Sequence, residues 1–185
     1  MVARVATAGG REKLSLKMVK NFHVRLATPE DADIIGWHRA RMFQDMGDVP
    51  PHLFEEFCAR SRDRLRDQLT TGEYVGWLAS AKDPLDKIIG GAGAQLRHVL
   101  PHPLTGPNGD AAISEGRHAI ILNVFTEPEW RRRGVAALLI QHIIDWSREQ
   151  RLDRLVLHAS AEGRALYERL GFIATNEMKF AGDKG

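Results

Sequence analysis

Residues 118–126 read HAIILNVFT, a near-continuous apolar run of strand length. A strand apolar on both sides needs cover on both faces, so this one belongs at the centre of a sheet flanked by helices. Pro128 ends the run. After a basic turn, Val135, Leu138, Leu139, His142, Ile143 and Trp146 form a wide helical stripe to about Gln150. Residues 152–158 then return to a buried strand pattern. Strand, helix and strand at this separation make a βαβ crossover, which sets the two strands parallel and the connection right-handed.

The remaining segments fit around that unit. Residues 23–27 alternate in the manner of a strand near a sheet edge. Thr28-Pro29-Glu30-Asp31 then offers a capping hydroxyl, a proline at the first helical position and two acids in the first turn. The helix so begun is expected to reach about Met46, with Gly47 and Pro50-Pro51 ending it. A second helix starts near His52, carries Phe54, Phe57, Cys58, Leu65 and Leu69 at helical spacing, and closes at Thr71-Gly72. Residues 73–80 and 87–97 read as a hairpin, in which Gly90, Gly91 and Gly93 mark a bulge or a close approach by another chain or a ligand. Residues 98–116, with LPHPLTGPNGD, are loop chemistry. A short helix over 161–170, then Gly171 and a closing strand through about Phe180, complete the order. Residues 1–21 are read as a flexible extension, because five bases face one acid there and no apolar signal-peptide core is present. A single domain is expected over 22–182.

Composition narrows the classes of function. With 26 Lys and Arg against 24 Asp and Glu, the net charge of +2 is too small to mark the whole surface as a polyanion binder. Any anion site has to be local. Nucleic-acid binding through the basic turn is disfavoured further, because Trp130 is the only aromatic beside it. The one cysteine, Cys58, cannot close an intramolecular disulfide, and no apolar run nears the ~20 residues that span a bilayer. A cytoplasmic protein without membrane association is the expectation. The eight histidines show no HxH, HExxH or Cys/His spacing, so no metal site is expected. Neither Ser114 nor Cys58 sits in a nucleophile-elbow phrase, which argues against covalent acyl transfer.

The stretch EPEWRRRGVA, residues 127–136, joins the central strand to the start of the amphipathic helix. First-turn amides point outward with partial positive charge, and Arg131, Arg132 and Arg133 stand beside them, so the turn can cradle a phosphate or pyrophosphate. Gly134 and Ala136 leave room for close approach. On spacing alone, the same arginines also read as a merely solvated turn.

Taken with the later phrase SAEGRALYERLGF, this order resembles the GCN5-related N-acetyltransferase (GNAT) superfamily. Arg131-Arg132-Arg133-Gly134-Val135-Ala136 is similar to that family's acetyl-CoA motif (R/Q)xxGx(G/A), and residues 166–172, LYERLGF, to its LYExLGF ending. The opening TPEDADIIGWHRARMF is also similar to the family's start. The resemblance implies an α/β (α+β) GNAT fold with a mixed central sheet of six to seven strands and about four helices. Its fourth and fifth strands, here 118–126 and 152–158, would be parallel and splayed.

It further implies transfer of an acetyl group from acetyl-CoA, the co-substrate, to a primary amine by direct attack in a ternary complex. Val124, Phe125 and Thr126 would pair with the pantetheine arm. Arg131, Arg132, Arg133, Gly134, Val135 and Ala136 would hold the pyrophosphate, and Tyr167 would protonate the departing thiolate. Many members carry an asparagine where this chain has Ser160, whose hydroxyl has a shorter reach toward the cofactor. The base is open among Glu127, Glu115, His118, His158 and a solvent relay. The acceptor pocket is expected between the two N-terminal helices and the 98–116 loop, with Met42, Phe43, Met46, Phe54 and Phe57 as lining or plain core. A small-molecule amine is favoured as acceptor, with a homodimer allowed. The alternatives are a protein N-terminal acetyltransferase and a non-catalytic acyl-CoA sensor.

Overall fold

A computed structural model describes residues 22–82, 87–105 and 108–178. The extension over 1–21 and most of the turn at 81–86 lie outside the described residues. Among the described residues there are seven strands and four α-helices, and the helices and five of the strands follow the expected order. They are β1 (Phe22–Leu26), α1 (Ala32–Asp45), α2 (Phe54–Thr71), β2 (Tyr74–Ala81) and β3 (Ile88–His98). Then come β4 (Pro103–Thr105), β5 (Ala111–Ile113), β6 (Arg117–Thr126), α3 (Val135–Glu149), β7 (Arg154–Leu157) and α4 (Arg164–Arg169).

Five strands form one mixed sheet in the order β1-β2-β3-β6-β7, antiparallel except for the parallel β6–β7 pair. β1 is its edge, as the alternating pattern predicts. Before α1, the Asp31 carboxylate accepts the Thr28 backbone N–H at 2.8 Å and the Arg25 guanidinium at 2.7 Å, so one acid fixes both the end of β1 and the helix entry. α2 ends on Gly72 at φ +76, a left-handed position that suits glycine.

α3 covers one face of the sheet. Its Val135, Leu139, Ile140 and Ile143 are fully buried on Trp77, Ala79, Ala92, Ala94 and Ala119, each large side chain contributing about 1.5–3 kcal/mol. α1 and α2 cover the other face through Ala32, Ile35 and Leu65 against Tyr74 and Leu78. The glycines of β3 serve this double packing. A Cβ on Gly93 would fall inside the Tyr74 ring, and one on Gly90 would meet the Phe125 carbonyl at 2.7 Å. The close approach legible in the sequence is made by the protein itself, through the Tyr74 ring at Gly93 and the β6 backbone at Gly90.

Two segments differ from expectation. The 98–116 loop folds back as a two-stranded β4–β5 ribbon, closed at its base by Ser114 Oγ, which accepts the His102 backbone N–H at 2.9 Å. Strands of three residues are too short to carry a readable period. The closing strand is absent among the described residues: 172–178 carry no regular structure, and Phe180 lies beyond them. After Phe172 its large aliphatic side chains, Ile173 and Met178, are both exposed. Among the described residues the main sheet has five strands, where six to seven were expected.

His38 on α1 is 1% exposed, with neither ring nitrogen hydrogen-bonded. Its ring lies on Phe125 at 4.8 Å between centroids, and Glu127 Oε1 is 3.7 Å from Nε2, too far for a hydrogen bond. Burial lowers its pKa from 6.5 to about 4 and raises that of the Glu127 carboxyl, so the imidazole is neutral at pH 7. A lowered histidine pKa means the unfolded chain takes up the proton first. Stability is intact above pH 6.5 and is lost as pH falls toward 4. Urea denaturation should register a loss of about 2 kcal/mol between pH 7 and pH 5, a difference that shrinks in His38→Leu.

Candidate active site

β6 and β7 pair from His118↔Arg154 to Ile121↔Leu157 and then part. β6 continues to Thr126, so among the described residues no strand pairs with 122–126 on that side. On the other side β3 follows throughout, but Gly91 faces Phe125 while Gly93 faces Leu122. One extra residue on β6 therefore makes a β-bulge at Asn123 and Val124. Asn123 takes φ +57, a left-handed conformation that asparagine tolerates better than most residues.

The bulge is pinned from beneath. Asn123 Oδ1 accepts Arg39 Nη1–H at 2.6 Å, and its Nδ2 donates to Tyr74 Oη at 3.1 Å. Tyr74 is buried, and desolvation pushes its phenol up to about 12, so the partner is always neutral. Arg39 lies 4.8 Å from the Phe43 ring centroid and 5.8 Å from that of Phe57.

Where the strands part, a cleft of about 830 Å³ opens, lined by residues 121–126 and 157–160, by Tyr167, and by the C-terminal half of α1. Six of the residues singled out in the sequence share it: Val124, Phe125, Thr126, Arg131, Ser160 and Tyr167. Arg132, Arg133, Gly134, Val135 and Ala136 do not line it. They form the turn and the first residues of α3, just past the end of β6.

The three arginines separate in space. Arg131 bridges elements, with Nη2 2.6 Å from Asp45 Oδ2 and Nε donating to the Thr126 carbonyl at 3.0 Å. Arg133 stacks 4.9 Å from the Trp130 ring centroid, and Arg132 is exposed at φ +63. Gly134 caps α3 at φ +89, and the first turn of α3 has no side-chain cap and no acid. Its opening amides are thus left for an external acceptor.

Ser160 Oγ accepts the Gly163 N–H at 3.1 Å, holding the turn into α4. Tyr167 is half-buried, its ring edge-on to Phe172 at 6.1 Å, and burial raises its phenol above the usual 10.0. Of the base candidates, only His158 lines the cleft. Glu115 and His118 belong to the far end of β6, and Glu127 sits by His38. Met42, Phe43 and Met46 line the cleft, Phe57 lines a neighbouring pocket and Phe54 neither. None of the described residues of 98–116 reaches it.

Glu162 and Arg39 also line the cleft, and both escaped the sequence reading. Arg39 had a usable signal: it occupies the apolar stripe of α1 in line with Ile35, Met42 and Met46. An arginine there needs a buried partner or a ligand.

With this geometry in view, the comparisons with known proteins are specific. The acetyltransferase (GNAT) family model matches residues 46–172, and the chain belongs to that family. A GCN5-related N-acetyltransferase from Ralstonia eutropha superposes with a TM-score of 0.72 at 26% identity, over 86% of this chain and 97% of that one. A predicted acetyltransferase from Clostridium acetobutylicum, solved with acetyl-CoA, gives 0.68 at 24% identity over 86% and 94%. An aminoglycoside N-acetyltransferase solved with CoA gives 0.59 at 18% identity, over 100% of both chains. No curated protein sequence matches the chain.

The bulge sets two expected outcomes. Asn123→Gly relieves the left-handed backbone but leaves Tyr74 and Arg39 without their partner, and should cost about 1–3 kcal/mol. Asn123→Ala should cost about 1–2 kcal/mol more, because it adds the left-handed penalty. Urea denaturation of both variants checks the order.

Proposed function

We propose that the protein transfers the acetyl group of acetyl-CoA to a primary amine by direct attack in a ternary complex. The observation that carries this reading is the parting of β6 from β7 at a pinned bulge, with the exposed strand end leading to the uncapped start of α3. An amide-bearing arm could add to residues 124–126 as a strand would. At its end the amides of Gly134, Val135 and Ala136, with Arg132 and Arg133, would hold a diphosphate. Arg131 is assigned a bracing role, since Asp45 already balances its charge.

Acetyl-CoA would supply an activated acyl carbonyl. The backbone N–H groups at the bulge, fixed before substrate arrives, would stabilise negative charge on that oxygen. Tyr167 would hold a proton for the leaving sulfur, and its raised pKa favours the protonated form. His158 and Glu162 are the titratable groups of the cleft placed to receive a proton from the amine, directly or through water. The acceptor is read as a small molecule, entering where α1 lines the cleft.

Thiol release from acetyl-CoA against an amine panel tests this reading. Tyr167→Phe should lower kcat by about 10²-fold or more while CoA affinity stays within about twofold, because the ring packing on Phe172 is kept. The wild-type rate should fall at high pH as the phenol ionises, and that limb should vanish in the variant. A wild-type protein that binds CoA and turns over no amine would instead be an acyl-CoA sensor.

A further inference from the structure

A second pocket of about 510 Å³ adjoins the cleft, and Arg39, Leu122 and Asn123 line both. Its cationic lining is Arg39, Arg60 and Arg64, with Ser61, Gln68 and Gln95 as neutral polar groups, and no carboxylate lines it. Glu56 balances Arg60 at 2.6 Å. Arg39 and Arg64 have no acidic partner among the described residues. Arg39 is the unusual one: half-buried, it gives one hydrogen to Asn123 Oδ1 and otherwise faces aromatic rings and open space. A guanidinium withdrawn from water without a counter-charge is costly, and burial lowers its pKa accordingly.

Resting on the transferase reading, we infer that the acceptor is a primary amine that also carries a carboxylate, bound by Arg39 and Arg64 with its nitrogen turned into the cleft. A carboxylate is favoured because the remaining edge of the Arg39 guanidinium offers a planar pair of donors to one planar anion. The Ser61 hydroxyl can satisfy a further lone pair. The two unbalanced arginines, Arg39 and Arg64, repel a polycation, so an aminoglycoside would be a poor acceptor here.

The test compares L-amino acids with their methyl esters and with an aminoglycoside in wild type, Arg39→Gln, Arg39→Lys and Arg64→Gln. Esterification lowers the ammonium pKa and leaves more of the amine unprotonated at neutral pH, so a preference for the acid does not come from a larger supply of free amine. In the wild type at least one acid should be acetylated with kcat/KM about tenfold or more above its ester, the scale of one charge-assisted hydrogen bond. Arg39→Gln and Arg64→Gln should collapse that ratio through KM for the acid, and Arg39→Lys should retain part of it. If Arg39 only braces Asn123, acid and ester lose activity together, which overturns the inference. An ester or the aminoglycoside matching the best acid in wild type overturns it too.

Thermal shift with N-acetyl amino acids and their methyl esters, without CoA, gives a readout free of turnover. Tm should rise with an acid in wild type and not in Arg39→Gln, and no rise with any acid counts against the pocket. A rise without acetyl transfer to any amine keeps the anion site and removes the transferase reading. Transfer only to esters or polycations does the reverse.

Discussion

The length by which β6 outruns β7 governs what this molecule can do. A fully paired strand would satisfy its own backbone and offer nothing to a ligand. Beyond Leu157 the chain turns away toward α4, and β6 is left half-paired over its last five residues. That half-pairing is tolerable because the bulge directs Asn123 downward into a buried clasp with Tyr74 and Arg39, which fixes the strand end before any ligand arrives. The clasp in turn needs room for the Tyr74 ring, which the missing side chain at Gly93 provides.

Charge is organised locally around this frame. The chain is nearly neutral overall, yet its arginines divide into distinct tasks. Arg131 ties the end of α1 to the end of β6, while Arg132 and Arg133 remain near the uncapped start of α3. Arg39 is held inside, between the cleft and its side pocket. A basic run in sequence thus becomes one brace and two cations without an acidic partner among the described residues, a distinction that depends on Asp45, remote in the chain and 2.6 Å away in space.

Much of the architecture was legible because it follows from short-range rules. The apolar run of β6, the α3 stripe and the strand after it specify a parallel pair, and the Thr28 to Asp31 start and the Gly72 stop bound the first two helices as expected. The GNAT resemblance, resting on residues 131–136 and 166–172, agrees with the family the chain belongs to. What escaped notice depends on non-local contacts. Gly93 reads as an open approach until Tyr74 is laid across it, and the partners of Arg39, Asn123 and the Phe43 and Phe57 rings, meet only once α1 is docked on β6. The ribbon at β4–β5 is too short to show a period, and the described part of the expected closing strand, residues 172–178, pairs with nothing in the sheet.

The central claim is that a diphosphate-bearing thioester docks on the amides that open α3 and extends its arm along the free edge of β6. Calorimetric titration with CoA and with pantetheine, which has the arm and lacks the diphosphate, tests it most directly. The account predicts saturable CoA binding and pantetheine weaker by about 10- to 100-fold, the worth of one or two charge-assisted hydrogen bonds. No measurable CoA binding, or equal affinity for the two, would contradict it.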